Sequence, residues 1–299
     1  MTTAAAPAKT GDRDASFVEA AEATGGQVDT VDKELQRTER LRLLVQPIVA
    51  ILLAVGVLIW ALGLHDLTTK QKATVNVTSI GKLAVQHLLI TFVVAVIVIL
   101  IGVSVGILVT RPALTWLAPV FIGIANIGAS APAVGLLVLY YLAVGSSSSA
   151  ISWLPKGPIA SIGWVSGVTW AGVLPIAFYA LLPVLRNTIL GFQEVDDTLI
   201  DAGRGQGMSG GGLLRRIEFP LAVPYILAGL RTSLVLAVGT ATLCFLVGSG
   251  GLGILIDTGY KLNDNVALVL GGVLAVALAL LVDWLGALAE QFLGPKGLR

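Results

Sequence analysis

The chain has 299 residues, of which 56% are hydrophobic and 12% charged, with a net charge of +1. Soluble domains carry about 25% charged residues, so this is the composition of an integral membrane protein. The near-neutral balance gives no basic patch for nucleic acid. A single cysteine, Cys244, lies in an apolar run and excludes a disulfide framework or a cysteine metal cluster; it reads as a small buried hydrophobe. His65 and His87 cannot make a zinc site between them. No G-x-x-x-x-G-K-[ST] occurs, so ATP, if it drives this protein, is bound by another chain.

Residues 1–42 form a polar tail without a basic n-region and apolar h-region, which is not a cleaved signal peptide. Residues 1–30 read as disordered. Val31 to Leu44 is either a solvated charged run leading into a span or an amphipathic surface helix. Six hydrophobic segments follow, near 43–64, 85–109, 117–143, 164–186, 223–248 and 266–288. Each is long enough for a hydrocarbon core of about 30 Å. The third carries Asn126, Ser130 and Pro132, which predict a kink or a broken helix. The 144–163 connection is a serine-rich linker or an interfacial element flanked by tryptophans.

Orientation follows from Lys and Arg near the span ends. With the N-terminus inside, the inner side holds Lys33, Arg37, Arg40, Arg42, Arg111, Arg186, Arg204, Arg215, Arg216, Lys296 and Arg299. The outer side holds only Lys70, Lys72, Lys82, Lys156 and Lys261. Both termini and the 187–222 loop are therefore expected in the cytoplasm of a multi-pass plasma (inner) membrane protein.

That loop contains a strongly polar run, Glu194 to Pro220. Asp196, Asp197 and Thr198 are good helix-start residues, because their oxygens accept orphan N–H groups and their charge suits the helix dipole. Gly205, Gly207 and Ser209-Gly210-Gly211-Gly212 are expected to stop that helix. Leu213 to Phe219 predicts a second short helix closed by Pro220. Two short helices around a glycine turn form a docking element, with Leu199, Ile200 and Ala202 offering an apolar face.

This run resembles the cytoplasmic coupling loop of binding-protein-dependent ABC importer permeases, which carries E-A-A, three residues, G, nine residues, then I-x-L-P. Here Asp201, Ala202 and Gly203 take the first positions, then Gly207, then Ile217, Phe219 and Pro220 at the same spacing. Asp replaces Glu, Gly replaces the second Ala, and Phe replaces Leu. The resemblance extends over about 85–290 and is nearest to the osmoprotectant type, which moves glycine betaine, choline and carnitine. His87-Leu-Leu-Ile-Thr91, Ala125-Asn126-Ile127 with Pro132, Leu185-Arg186-Asn187-Thr188, Gly229-Leu-Arg231-Thr232 and Gly248-Ser-Gly250-Gly251-Leu-Gly253 carry it. The last also matches G-x-G-x-x-G, but it follows a span rather than a strand, which rejects a dinucleotide site. Residues 1–42 and a first span at 43–64 lie outside the shared core.

The resemblance implies an all-α type I ABC importer permease fold, with the loop at 187–222 coupling to ABC ATPase subunits. It implies no enzyme activity or cofactor on this chain, with ATP and Mg on the ATPase. The other partners implied are an extracellular or periplasmic solute-binding protein and a second permease subunit, the same chain or a related one. His87, Asn126, Pro132, Gly250 and Gly251 are the candidates to line the solute path; the alternatives are an interfacial histidine with a local partner for His87 and a hydrogen bond to a neighbouring helix for Asn126. For Arg231, the alternatives are snorkelling or a structural pair with Asp283. A permease for another small amino-acid-like solute is the alternative within the family, and two other classes stay open: an ion-coupled secondary transporter working alone, and a non-transporting membrane scaffold or sensor subunit. An ion-coupled transporter would want paired acidic residues at the midplane, which the sequence does not clearly show, and a membrane scaffold would not need the spaced loop.

Overall fold

A computed structural model of the chain describes residues 41–63, 75–145 and 166–293, with isolated positions at 38, 68, 71–72, 154–155 and 157–159. The expectations for 1–37 and for 146–153 lie outside the described residues. The chain divides into two units, Met1–Val45 and Gln46–Arg299. In the first, the described positions are helical. Everything below concerns the second, apart from the start of helix α1, Leu41–Gly63.

Among the described residues, four helices are long and apolar enough to cross a membrane, and six spans result if each of two bent pairs is one span. The single helices are α1, α2 (Val77–Val109), the run Gly210–Ala241, and the last helix, Asn265–Leu293. α2 starts on Asn76, whose side chain accepts the Ser79 N–H at 2.8 Å. The first bent pair is α3 (Ala118–Ser130) and α4 (Ala133–Gly145), which meet at 102°. The break expected at Pro132 is there. Proline excludes the helical region for the residue before it, and Ala131 is extended, with φ −74° and ψ 145°. The second pair is α5 (Trp170–Tyr179) and α6 (Leu181–Gln193), bent by 42°. Ser233 Oγ donates to the Ala180 carbonyl at this bend, 2.6 Å away, so the irregular backbone inside the bundle is bonded.

α6 packs between α2 and the helix after the polar run. Small residues make this possible. A Cβ on Gly106 would lie 2.5 Å from Thr188 Cγ2, and one on Gly229 would lie 2.7 Å from the Pro183 carbonyl oxygen. The Gly102–Gly106 pair is thus a helix-crossing point, where α2 meets Val184 and Thr188.

The polar run differs from the sequence expectation in two ways. α7 (Asp197–Gly205) starts on Asp196 as expected. The glycines after Ser209, however, begin a helix instead of stopping one: α8 spans Gly210–Leu213, with Ser209 as its cap. Nor does Pro220 close anything. A five-residue π-helical turn, Leu214–Glu218, joins α8 to α9 (Phe219–Ala241) without a stop. Pro220 follows directly on this turn, and its wider i→i+5 pattern accommodates the hydrogen bond that proline cannot make.

The fifth span also ends earlier than expected, at Ala241 rather than 248. Thr240 and Thr242 hydroxyls bond back to the Leu236 and Gly239 carbonyls, 2.7 and 2.6 Å away, and Gly248 takes φ +68°. A 3-10 turn at Cys244–Val247, a glycine loop and a short helix α10 (Gly253–Leu262) follow before α11 (Asn265–Leu293). Cys244 is fully buried, as expected of a small hydrophobe.

Candidate functional site

Two clusters of the expected residues form, at opposite ends of the spans. At one end lies the polar run. The Thr198 N–H bonds to Asp196 Oδ1 at 2.8 Å and caps α7. This bond, then the Thr198 hydroxyl, holds the Asp196 carboxyl below the usual carboxylate range. Gly203 is buried: a Cβ there would stand 2.6 Å from Leu213 Cδ2 and 3.0 Å from Ile217 Cδ1. The departure from alanine at this position therefore lets α7 lie directly on the α8–α9 junction. Gly203 and Ile217 meet here, though sequence alone gave no reason beyond spacing.

Within the run Val195 and Glu218 are also buried, but Leu199 is 46% exposed and Phe219 39% exposed, Ala202 is exposed and Ile200 is half-buried. Asp201 is exposed and pairs with Arg204 at 3.2 Å, a surface contact within α7. Gly207 takes φ +79°, a conformation side chains disfavour, and its N–H closes α7 on the Arg204 carbonyl at 2.9 Å.

Sequence reasoning gave Arg111 a role in orientation only. In the structure its guanidinium bonds Glu218 at 2.6 Å and lies 5.5 Å from the Phe192 ring centroid. It thereby joins the end of α2 to the end of α6 and to the turn entering α9. An arginine just past the second span and a glutamate beside the start of the fifth were the signal available.

At the other end, Gln86 and His87 of α2 pin the glycine loop. Gln86 Oε1 accepts the Gly251 N–H at 3.2 Å, and Gln86 Nε2 donates to the Ser166 carbonyl. The Gly250 N–H reaches the Gly167 carbonyl at 2.8 Å. His87 Nδ1 accepts the Leu252 N–H at 3.3 Å, which leaves Nε2 to donate to the Val238 carbonyl at 3.0 Å. Gly251 needs its φ of +107° to turn beside this ring. His87 is fully buried and Gly251 is buried, and both hold backbone together, while Gly250, also buried, lines a cavity at this end of the spans. Gln86, which the sequence did not single out, is the centre of the network. Asn126 and Pro132 are exposed on α3 and at its break, and the Asn126 side chain makes no hydrogen bond among the described residues.

Arg231 pairs with Asp283 through Nε at 2.6 Å and Nη2 at 3.1 Å, and with Glu290 at 3.2 Å. Gln46 of α1 donates to Asp283 at 2.7 Å. The structural alternative for Arg231 is the one present.

Several apolar spans, two of them broken inside the bundle, and a short docking element at one end define a membrane permease. The family described as "Binding-protein-dependent transport system inner membrane component" matches residues 99–294, and the chain belongs to it. It is 33% identical over 214 residues to the glycine betaine/carnitine/choline transport system permease protein OpuCB of Bacillus subtilis, covering 72% of this chain and 88% of that one. It is 32% identical over 247 residues to the osmoprotectant import permease protein OsmY of Salmonella typhimurium, covering 83% and 93%. Among solved structures, the MetNI methionine ABC transporter in an inward-facing form aligns with a TM-score of 0.56 at 25% identity, covering 72% of this chain and 96% of that one. The chain is a permease subunit of an ABC importer, with the type I permease fold, and an inner membrane component.

Proposed function

We propose that this permease moves small quaternary-amine osmoprotectants of the glycine betaine, choline and carnitine class. The relatives are glycine betaine/carnitine/choline and osmoprotectant permeases, which supports that solute class at about one third identity over most of their length. In this reading a separate ATPase, which binds ATP and Mg, seats on the exposed face of α7 and the turn at Gly207. A solute-binding protein docks at the opposite end, and a second permease subunit completes the path. The core is 85–290, with the coupling loop at 187–222 and an additional span at 43–64. Both termini and the coupling loop are cytoplasmic, as the Lys/Arg asymmetry supports.

One observation carries the mechanism: Gly210 to Ala241 is a single unbroken helical run. A push on α7 is received by α8 through Gly203, Leu213 and Ile217, and α8 is already the start of a span. Closing of the ATPase pair is thus converted into rigid movement of α9, without a flexible joint. The chemistry stays on the ATPase, and this chain supplies alternating access.

The test is reconstitution with an ABC ATPase and a solute-binding protein that co-purify with this chain from native membrane, reading solute-stimulated ATP hydrolysis and uptake. Glycine betaine, choline or carnitine is expected to stimulate both. Stimulation by methionine or another amino-acid-like solute alone would replace the solute class and leave the permease assignment standing.

A further inference from the structure

A cavity of about 610 Å³ opens at the end of the spans away from the coupling element. Its walls carry opposite charges. α2 contributes Ser79, Lys82 and Gln86, spaced to share one helix face. The 3-10 turn contributes Phe245, and α10 contributes Asp257 and Thr258. Lys82 is half-buried and has no hydrogen-bond or ion-pair partner among the described residues. Asp257 Oδ2 takes Lys261 at 2.8 Å, and its other oxygen has no partner among the described residues.

From this arrangement we infer that the cavity is a solute subsite that holds a small zwitterion, its carboxylate on Lys82 and its cationic end between Phe245 and Asp257. Lys82 presents an ammonium to the cavity with no partner among the described residues, and a ligand carboxylate can take it in a charge-assisted bond. A quaternary ammonium has no N–H to donate, so an aromatic face and a carboxylate are what recognise it. The volume falls in the range of small-molecule sites, about 300–1,000 Å³. The floor is functional too: Gln86 and Gly250, which line the cavity, are the residues that pin the glycine loop. An occupant therefore rests on the network that ties α2 to the end of α9. The choice of betaines as the zwitterions rests on the solute class proposed above; the charge pattern of the cavity does not.

The experiment uses native membranes holding the full complex, with Cys244→Ser and Ser79→Cys in this chain. A methanethiosulfonate reagent bearing a trimethylammonium group, close to the solute in size, modifies the Ser79→Cys thiol. Glycine betaine at ten times its dissociation constant is expected to slow that reaction about ten-fold, as 1 + [L]/Kd requires. Adding Lys82→Gln should remove protection by glycine betaine but leave the weaker protection by choline, which has no carboxylate. Failure of the thiol to react, failure of glycine betaine to protect, or equal protection by both solutes with and without Lys82 would each overturn the subsite. Uptake is measured separately. Protection by glycine betaine without uptake of any quaternary amine would overturn the transport reading and leave the subsite standing.

Discussion

Gly207 is the position where a small change separates docking from folding. It sits at φ +79° between the end of α7 and the cap of α8. No atom lies within 4 Å of the place where a Cβ would go, so Gly207→Ala meets no steric barrier. What remains is the left-handed backbone, which costs a residue with a Cβ about 1–2 kcal/mol. That is a shift of roughly 5–30-fold against the present turn, confined to a segment outside the membrane helices. Gly207→Asn and Gly207→Asp are isosteric and both tolerate left-handed backbone better than alanine, so the difference between them isolates charge. A carboxylate that must be covered by a docked protein adds a desolvation cost of several kcal/mol. The assays are abundance in the membrane and solute-stimulated ATPase activity of the reconstituted complex. Abundance should stay near normal in all three. Stimulation should fall several-fold with Ala, less with Asn, and most with Asp. Full stimulation with Asp would refute docking at this turn, and equal losses with Ala and Asn would refute the backbone argument.

Further outcomes are expected. In a Cys244→Ser background, Tyr260→Cys, at a position 81% exposed on α10, should react with an impermeant thiol reagent on intact cells. Ser209→Cys should react only after the membrane is opened; the reverse pattern would invert the topology. The purified chain alone should bind no ATP in equilibrium dialysis, since it has no P-loop, and saturable binding would overturn the division of labour. Glu218→Gln leaves Arg111 without its counter-charge at a carboxylate only 11% exposed, and should lower stability by about 1.5–3 kcal/mol. Thermal unfolding should show that adding Arg111→Gln costs little more, while strictly additive losses would mean the pair does not interact. The depressed Asp196 carboxyl stabilises the start of α7 above its unfolded pKa, and this is lost as pH falls through the lower folded value. Exchange protection of the Thr198 amide should follow that titration, and Asp196→Ala should abolish it; the same pH dependence in Asp196→Ala would exclude the cap as its source.

What the sequence made legible was local. Hydropathy located six apolar segments, because twenty or so residues must be apolar to cross a bilayer wherever they sit in a fold. Pro132 announced its own break, because the constraint acts on the adjacent residue. The fixed spacing from Asp201 to Pro220 marked the docking element. Pro220 and the three glycines after Ser209 misled in the same way. Both are helix breakers on average, yet the glycines fall in a first turn behind the Ser209 cap, and Pro220 follows a π-helical turn that accommodates its missing bond. The termination of α9 at Ala241 was invisible to hydropathy, since Leu243 to Val247 is as apolar as the helix before it. The Gln86 network joins positions 80 and 165 residues apart along the chain, and no window sees such a pair.

The partners of α2 suggest how movement at one end of the molecule reaches the other. Its Arg111 end is fixed to the start of α9 by Arg111 and Glu218, 2.6 Å apart. Its other end is fixed to the far end of α9 through His87, which bonds the Val238 carbonyl at 3.0 Å, and to the loop beyond it through Gln86. Two helices bonded at both ends, with α6 packed between them at Gly106 and Gly229, resist bending and sliding. They shift together or not at all, because packed interfaces are bistable rather than continuously deformable. The irregular backbone that can absorb a change lies elsewhere, at the 102° break before Pro132 and the 42° bend at Ala180. In the mechanism proposed above, a push received by α7 would therefore arrive at the glycine loop as displacement of a rigid α2–α6–α9 body, and the cavity lined by Gln86 and Gly250 would change shape with it.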